Sequence, residues 1–224
     1  TIDRCWKLAL GIDGSLAVTG QYMGPADLFG TSVPGSNNTW NAFLAKLDPA
    51  TGDALWVRTG GSNDGTERPN GLSISPNGNI TMVGEFSGTA VFDGGTITSM
   101  FDPLLQQLGT DVFIAGYSAA GAPLWLKHGA AEFTDKAVDV VSDAQNNLYV
   151  CGQFSDTITF DAVHANAMVN AIFLMKLDPL GNEVWFRTCG GGVVDVVNDM
   201  LLTSTGQLLL CGDVRGNMYY LDGS

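Results

Sequence analysis

Residues 43–86 read FLAKLDPATGDALWVRTGGSNDGTERPNGLSISPNGNITMVGEF and hold two hairpin signals in succession. Apolar runs at 43–48 and 55–59 flank a turn containing Gly52, and runs at 71–75 and 79–86 flank a turn containing Gly78. Short apolar runs joined through a tight Gly turn predict β-hairpins. Working outward, the second signal recurs through a Gly, a polar residue and usually an aromatic: Gly20-Gln21-Tyr22, Gly84-Glu85-Phe86, Gly152-Gln153-Phe154 and Gly212-Asp213-Val214. The intervals between these anchor glycines are 64, 68 and 60 residues. Six positions before each anchor stand Gly14, Gly78, Asn146 and Gly206, the residue types that a turn with positive φ requires. The first signal recurs as 43–48 (FLAKLD), 113–118 (FIAGYS) and 173–178 (FLMKLD), with turns at Gly52, Gly121 and Gly181. Trp56, Trp125 and Trp185 follow four residues after those turn glycines, and Arg58, Lys127 and Arg187 follow two after each Trp.

Each unit is therefore expected to contain four antiparallel strands, a-b-c-d, with residues 218–222 (MYYLD) read as the third strand of a fourth unit. A fixed period is the mark of a repeat architecture. The fold class expected is all-β, a β-propeller of four-stranded antiparallel blades. One propeller segment, 1–224, divides into blades at 1–59, 60–128 and 129–188 and a partial blade at 189–224. That is about three and three-quarter blades, an incomplete ring or fragment. A β-sandwich does not require the same Trp and Gly at the same offset in successive units. Because an open ring leaves bare edges, the missing part is expected from further blades of the same polypeptide or another chain.

Composition narrows the function. The 224 residues carry 23 acidic and 10 basic side chains, a formal charge of −13. Phosphate recognition needs clustered Lys and Arg, so nucleic acid is not an expected partner, and no apolar run predicts membrane insertion. The chain opens on Thr1 without a basic or apolar leader, so a signal segment is expected to be either absent or already removed. Cys5, Cys151, Cys189 and Cys211 form no CxxC pair, and His128 and His164 stand 36 positions apart, which is not metal-ligand spacing. Cys151 and Cys211 occupy one repeat position and read as core filler, whereas spacing leaves the pairing of Cys5 and Cys189 open.

The unit resembles the bacterial SBBP β-propeller repeat family in its F-[LIV]-x-K-[LY]-[DS] run, Gly turn, W-x-[RK], Gly-Gly, and later N-[ILV]-x-[VT]-x-G-x-F. The match runs through nearly the whole chain and is closest over 43–86; Gly116 stands where the family usually has Lys. The turn at 48–56 (DPATGDALW) is also similar to the tryptophan-docking motif of quinoprotein propellers, although the adjacent Cys-Cys pair common there is missing. The resemblance implies a propeller, and a secreted or cell-surface bacterial protein. It implies no single activity.

The repeated Trp56, Trp125 and Trp185 are expected to dock neighbouring blades, because a large aromatic on one strand covers much of the seam. The long b–c connections are rich in Gly, Ser, Asn and Asp, and are expected to present a surface to a protein or glycan. Trp40, after Ser36-Asn37-Asn38-Thr39, is the candidate loop contact. Seventeen positions before each anchor stand Asp3, Glu67, Asp135 and Asp195, followed directly in three copies by Arg4, Arg68 and Lys136. Those acids are a candidate ring at the channel mouth, suited to Ca²⁺, or alternatively acceptors of backbone N–H groups. No catalytic motif emerges: G-x-S-x-G, H-E-x-x-H and G-x-x-x-x-G-K are all missing from the sequence. No cofactor is therefore assigned. The leading expectation is a non-catalytic binding or assembly module; a propeller enzyme or cation site at the axis, and a filament or envelope subunit, are the alternatives.

Overall fold

A computed structural model describes residues 3–36, 38–62, 64–102, 104, 106–130, 133–160, 163–166, 170–190, 195–213 and 219–221. Every regular element among them is a β-strand, and all strand pairs are antiparallel. The first repeat supplies β1 (Asp3–Leu10), β2 (Leu16–Met23), β3 (Ala26–Leu28), β4 (Thr31–Val33), β5 (Trp40–Leu47) and β6 (Ala54–Gly61). The second supplies β7 (Glu67–Ile74), β8 (Ile80–Phe86), β9 (Thr89–Phe92), β10 (Gly95–Thr98), β11 (Phe101–Asp102), β12 (Gln107–Leu108), β13 (Asp111–Tyr117) and β14 (Pro123–Ala130). The third runs through β15 (Lys136–Ser142), β16 (Leu148–Phe154), β17 (Thr157–Phe160), β18 (Val163–Asn166), β19 (Ala171–Leu177) and β20 (Glu183–Gly190). The fourth contributes β21 (Val196–Leu202), β22 (Leu208–Asp213) and β23 (Tyr219–Leu221).

The turns that start each repeat adopt the expected backbone: φ is 81° at Gly14, 83° at Gly78, 66° at Asn146 and 83° at Gly206. The anchor glycines have a different cause. A Cβ on Gly20, Gly84, Gly152 or Gly212 would run into the backbone carbonyl of Arg4, Arg68, Lys136 or Val196 on the inner strand. In the first three repeats a Phe ring, from Phe43, Phe113 or Phe173, closes over the same spot. Only Gly allows three groups to meet there.

The sheets run β1-β2-β5-β6-β9-β10, then β7-β8-β13-β14-β17-β18, then β15-β16-β19-β20-β23, with β21-β22 as a two-stranded remainder; none closes on itself. Each large sheet thus takes its last strands from the next repeat. Gly60 pairs with Phe92, Gly129 with Phe160 and Cys189 with Tyr220, so in all three sheets the residue four after the Trp meets the residue eight after the next anchor. The b–c connections expected as open loops are therefore largely hairpins, clasped onto the preceding sheet. The 218–222 expectation is corrected on the same ground: β23 pairs with β20, as β9 pairs with β6, and is not a third strand beside β22. Residues 214–218, between β22 and β23, lie outside the described residues.

Packing follows this exchange. Phe113, Ala115 and Tyr117 of β13 join Leu44, Ile80, Phe86 and Phe92 in one buried cluster between the first two sheets. Phe173, Met175 and Leu177 of β19 do the same with Ile114, Val150, Phe154 and Phe160 between the second and third. The fourth repeat has no such strand among the described residues, and only Cys151, Ile172, Val197 and Met200 are fully buried at its seam. Cys151 is core filler as expected, but Cys211, on the uncovered β22, is exposed. All four cysteines are free thiols.

Candidate functional site

The inner strands β1, β7, β15 and β21 carry the most regular irregularity in the molecule. Each has a β-bulge at the position fourteen before its anchor: the register shifts between Cys5 and Lys7, Pro69 and Gly71, Ala137 and Asp139, and Val197 and Asp199. The bulged residues are Trp6, Asn70, Val138 and Asn198. A bulge interrupts the alternation of faces and re-aims a side chain. All four bulged residues line one cavity of about 220 Å³, together with Lys7, Arg68, Lys136 and Val197.

This wall is basic. Arg68 and Lys136 stand two positions before their bulges, at the position also held by Arg4, and no carboxylate lines the cavity. The Arg68 guanidinium lies 4.4 Å from the Trp6 ring and 3.6 Å from Glu85 Oε1. Lys7 Nζ lies 3.7 Å from Asp139 and 3.5 Å from Asp199. Burial pushes the Glu85 and Asp139 carboxyls upward, while the hydrogen bond from Asp139 holds Asp199 below the usual range.

The four recurring acids stand elsewhere. Asp3 is exposed, whereas Glu67, Asp135 and Asp195 are buried at the entry to their inner strands and do not line the cavity. Asp135 Oδ1 accepts the Ser155 N–H at 2.8 Å, which ties the strand entry to the start of the b–c connection; its other oxygen has no partner among the described residues. Neither Glu67 oxygen meets a donor at hydrogen-bonding geometry among them. Burial pushes both carboxyls up to about 8, with Ser62 and the Ser155 N–H respectively pulling the other way. Burial thus favours the protonated form of both carboxyls. No group of three or more metal-ligating side chains gathers among the described residues.

Trp56 and Trp125, two of the three expected docking tryptophans, sit on the seams. The Trp56 Nε1–H donates to Ala119 O at 3.2 Å, and Arg58 Nε–H donates to Gly121 O at 2.7 Å, both on the turn of the next repeat. The Trp125 ring covers Gly181 as the Trp56 ring covers Gly121, but Trp125 Nε1 has no hydrogen-bond partner among the described residues. Trp185 is half-buried, with the Tyr149 ring 6.0 Å away. Trp40 is the first residue of β5, half-buried with the Arg4 guanidinium 4.5 Å over its ring, so it is a strand residue with one face covered. A sharp test of the seam is Gly121→Ala against Gly14→Ala. Both backbones have φ near 80°, but a Cβ on Gly121 would lie 2.7 Å from the Trp56 ring, whereas Gly14 has open space. Urea unfolding is expected to show a loss of ~1 kcal/mol for Gly14→Ala and at least ~1 kcal/mol more for Gly121→Ala.

Compared with known proteins, the chain matches no family model and no curated sequence. The cavity was only half legible beforehand. The recurrence of a base directly after three of the four acids was visible, but the bulge that brings Trp6, Asn70, Val138 and Asn198 to one space leaves no periodic trace.

Proposed function

We propose that the chain is an arc of a β-propeller of the SBBP type, outside the cell or on its surface, working as a non-catalytic binding and assembly module. The observation that carries this reading is the clasp. Each outer strand pairs with a strand of the following repeat, part of a hairpin for β6 and β14, so successive repeats are held by shared sheet as well as by apolar packing. The convergence of four bulged inner strands on one cavity supports a radial arrangement, with that cavity at the hub.

The same rule identifies what the module joins. Leu28, eight after the first anchor, stands where Phe92 and Phe160 stand, yet the β3–β4 hairpin forms its own two-stranded sheet, joins no strand ladder among the described residues, and meets β6 of its own repeat through Ala54 N–H donating to Phe29 O at 3.2 Å. At the other end β22 has an edge left unpaired among the described residues, beside a cavity of about 370 Å³ lined by Ile172, Leu174, Val197, Leu208 and Leu210. In the preceding repeats that place is taken by a c strand with apolar side chains at alternate positions. The partner is therefore a c–d hairpin of the same repeat, added by edge pairing to β22.

A labelled peptide of residues 170–190 tests this. It is expected to bind the chain and raise its melting temperature, a scrambled peptide is expected to do neither, and Leu210→Glu is expected to remove the effect. Absence of binding by the native-sequence peptide would contradict the reading.

A further inference from the structure

We propose that the hub cavity binds a small oxyanion. In a chain of net charge −13, three of the ten basic side chains, Lys7, Arg68 and Lys136, line this one cavity, and no acid does. Their surroundings divide the work. Glu85 and the Trp6 ring fix Arg68, and Asp139 and Asp199 fix Lys7. These three acids face the cations from outside the cavity wall. The Lys136 ammonium forms no salt bridge among the described residues and feels Glu85 only through space. It is the cation left to meet a ligand.

Neutral donors complete the wall. The Asn70 Nδ2 donates one hydrogen to Ala137 O at 3.0 Å, which orients the amide and leaves the second hydrogen for a ligand. The Asn198 amide lines the same space, and Val138, Val197 and the indole of Trp6 form its apolar part. At about 220 Å³ the cavity holds a phosphate-sized group and a few waters, taking ~30 Å³ for each water. The repeat contributes to this chemistry, since a base stands two positions before the bulge in three of the four inner strands and two of those bases, Arg68 and Lys136, line the cavity.

Calorimetric titration of the whole chain at low ionic strength, with inorganic phosphate and separately with citrate, tests the proposal and tells a phosphoryl from a carboxylate ligand. Saturable binding of either is expected. Lys136→Gln is expected to weaken it at least fivefold, and Lys127→Gln, on the outer strand β14, to leave it within twofold. Binding by neither anion, or equal loss in both variants, would overturn the site. A second measurement needs no variant: iodide should quench tryptophan fluorescence more strongly than neutral acrylamide, with phosphate relieving the iodide effect. Equal quenching by both, without relief, would count against the site in the same way.

Discussion

Phe160→Ala is expected to destabilise the chain by ~3–5 kcal/mol, although the residue lies in a connection and not in a strand of its own sheet. Its ring is fully buried, 5.7 Å from the Phe173 ring and 6.0 Å from that of Phe186. Its Cα pairs with Gly129 of the preceding repeat, and a Cβ on Gly129 would overlap the Phe160 ring. Truncation thus removes core surface from the third sheet and unpins the hairpin β17–β18 from β14 together. Phe101 is the control: it is another connection phenylalanine, but half of its surface is in water, so Phe101→Ala is expected within ~0.5 kcal/mol of the parent. Denaturant unfolding of the two variants decides the matter. Comparable small losses would mean that the hairpins are ornaments and not clasps.

Alkaline weakening is the second large effect. Glu67 and Asp135 are fully buried, and their carboxyls are pushed up to about 8 from ordinary values of 4.5 and 3.8. Below about pH 4 the folded and unfolded chains both keep these protons, and the contribution of the two groups to stability is fully present. Between the ordinary carboxylate range and about 8 only the unfolded chain ionises, so stability falls as pH rises and levels off above 8. The fall is on the order of a few kcal/mol for each carboxyl. Glu67→Gln with Asp135→Asn removes both ionisations while keeping shape. The double variant is expected to lose most of the difference between unfolding free energies at pH 5 and pH 8.5. The slope is the readout, because an amide without a partner carries its own cost at every pH. An unchanged slope would place the pH response in other acids.

What was legible in the sequence is what neighbouring residues decide. Gly14, Gly78, Asn146 and Gly206 announce their turns because an L side chain resists positive φ, and Trp56 and Trp125 announce seams because nothing smaller covers a sheet face. Pairing between repeats was not legible. The strands β9, β10, β17 and β18 are four residues each and set among turn-forming residues, so their pattern carries little period-2 signal. The aromatic eight after the anchor, Phe92 and Phe160, was the available clue. Residues 218–222 misled because MYYLD resembles FLMKLD; only the place of its partner separates a clasp from a third strand. Glu67 and Asp135 each precede a base by one position, so acid and base point to opposite faces of the strand; that the bases Arg68 and Lys136 share a cavity with the bulged Asn70 and Val138 is set by the packing of the strands and not by the spacing.

The account depends most directly on repeats sharing sheet across their boundaries. Nuclear Overhauser contacts between Gly60 and Phe92 and between Gly129 and Phe160, with slow amide exchange along those ladders, measure it. Both sets of contacts, with protection comparable to the β2–β5 ladder, are the predicted result. Fast-exchanging amides in β9 and β17, with Phe92 and Phe160 contacting only residues of their own repeats, would contradict it.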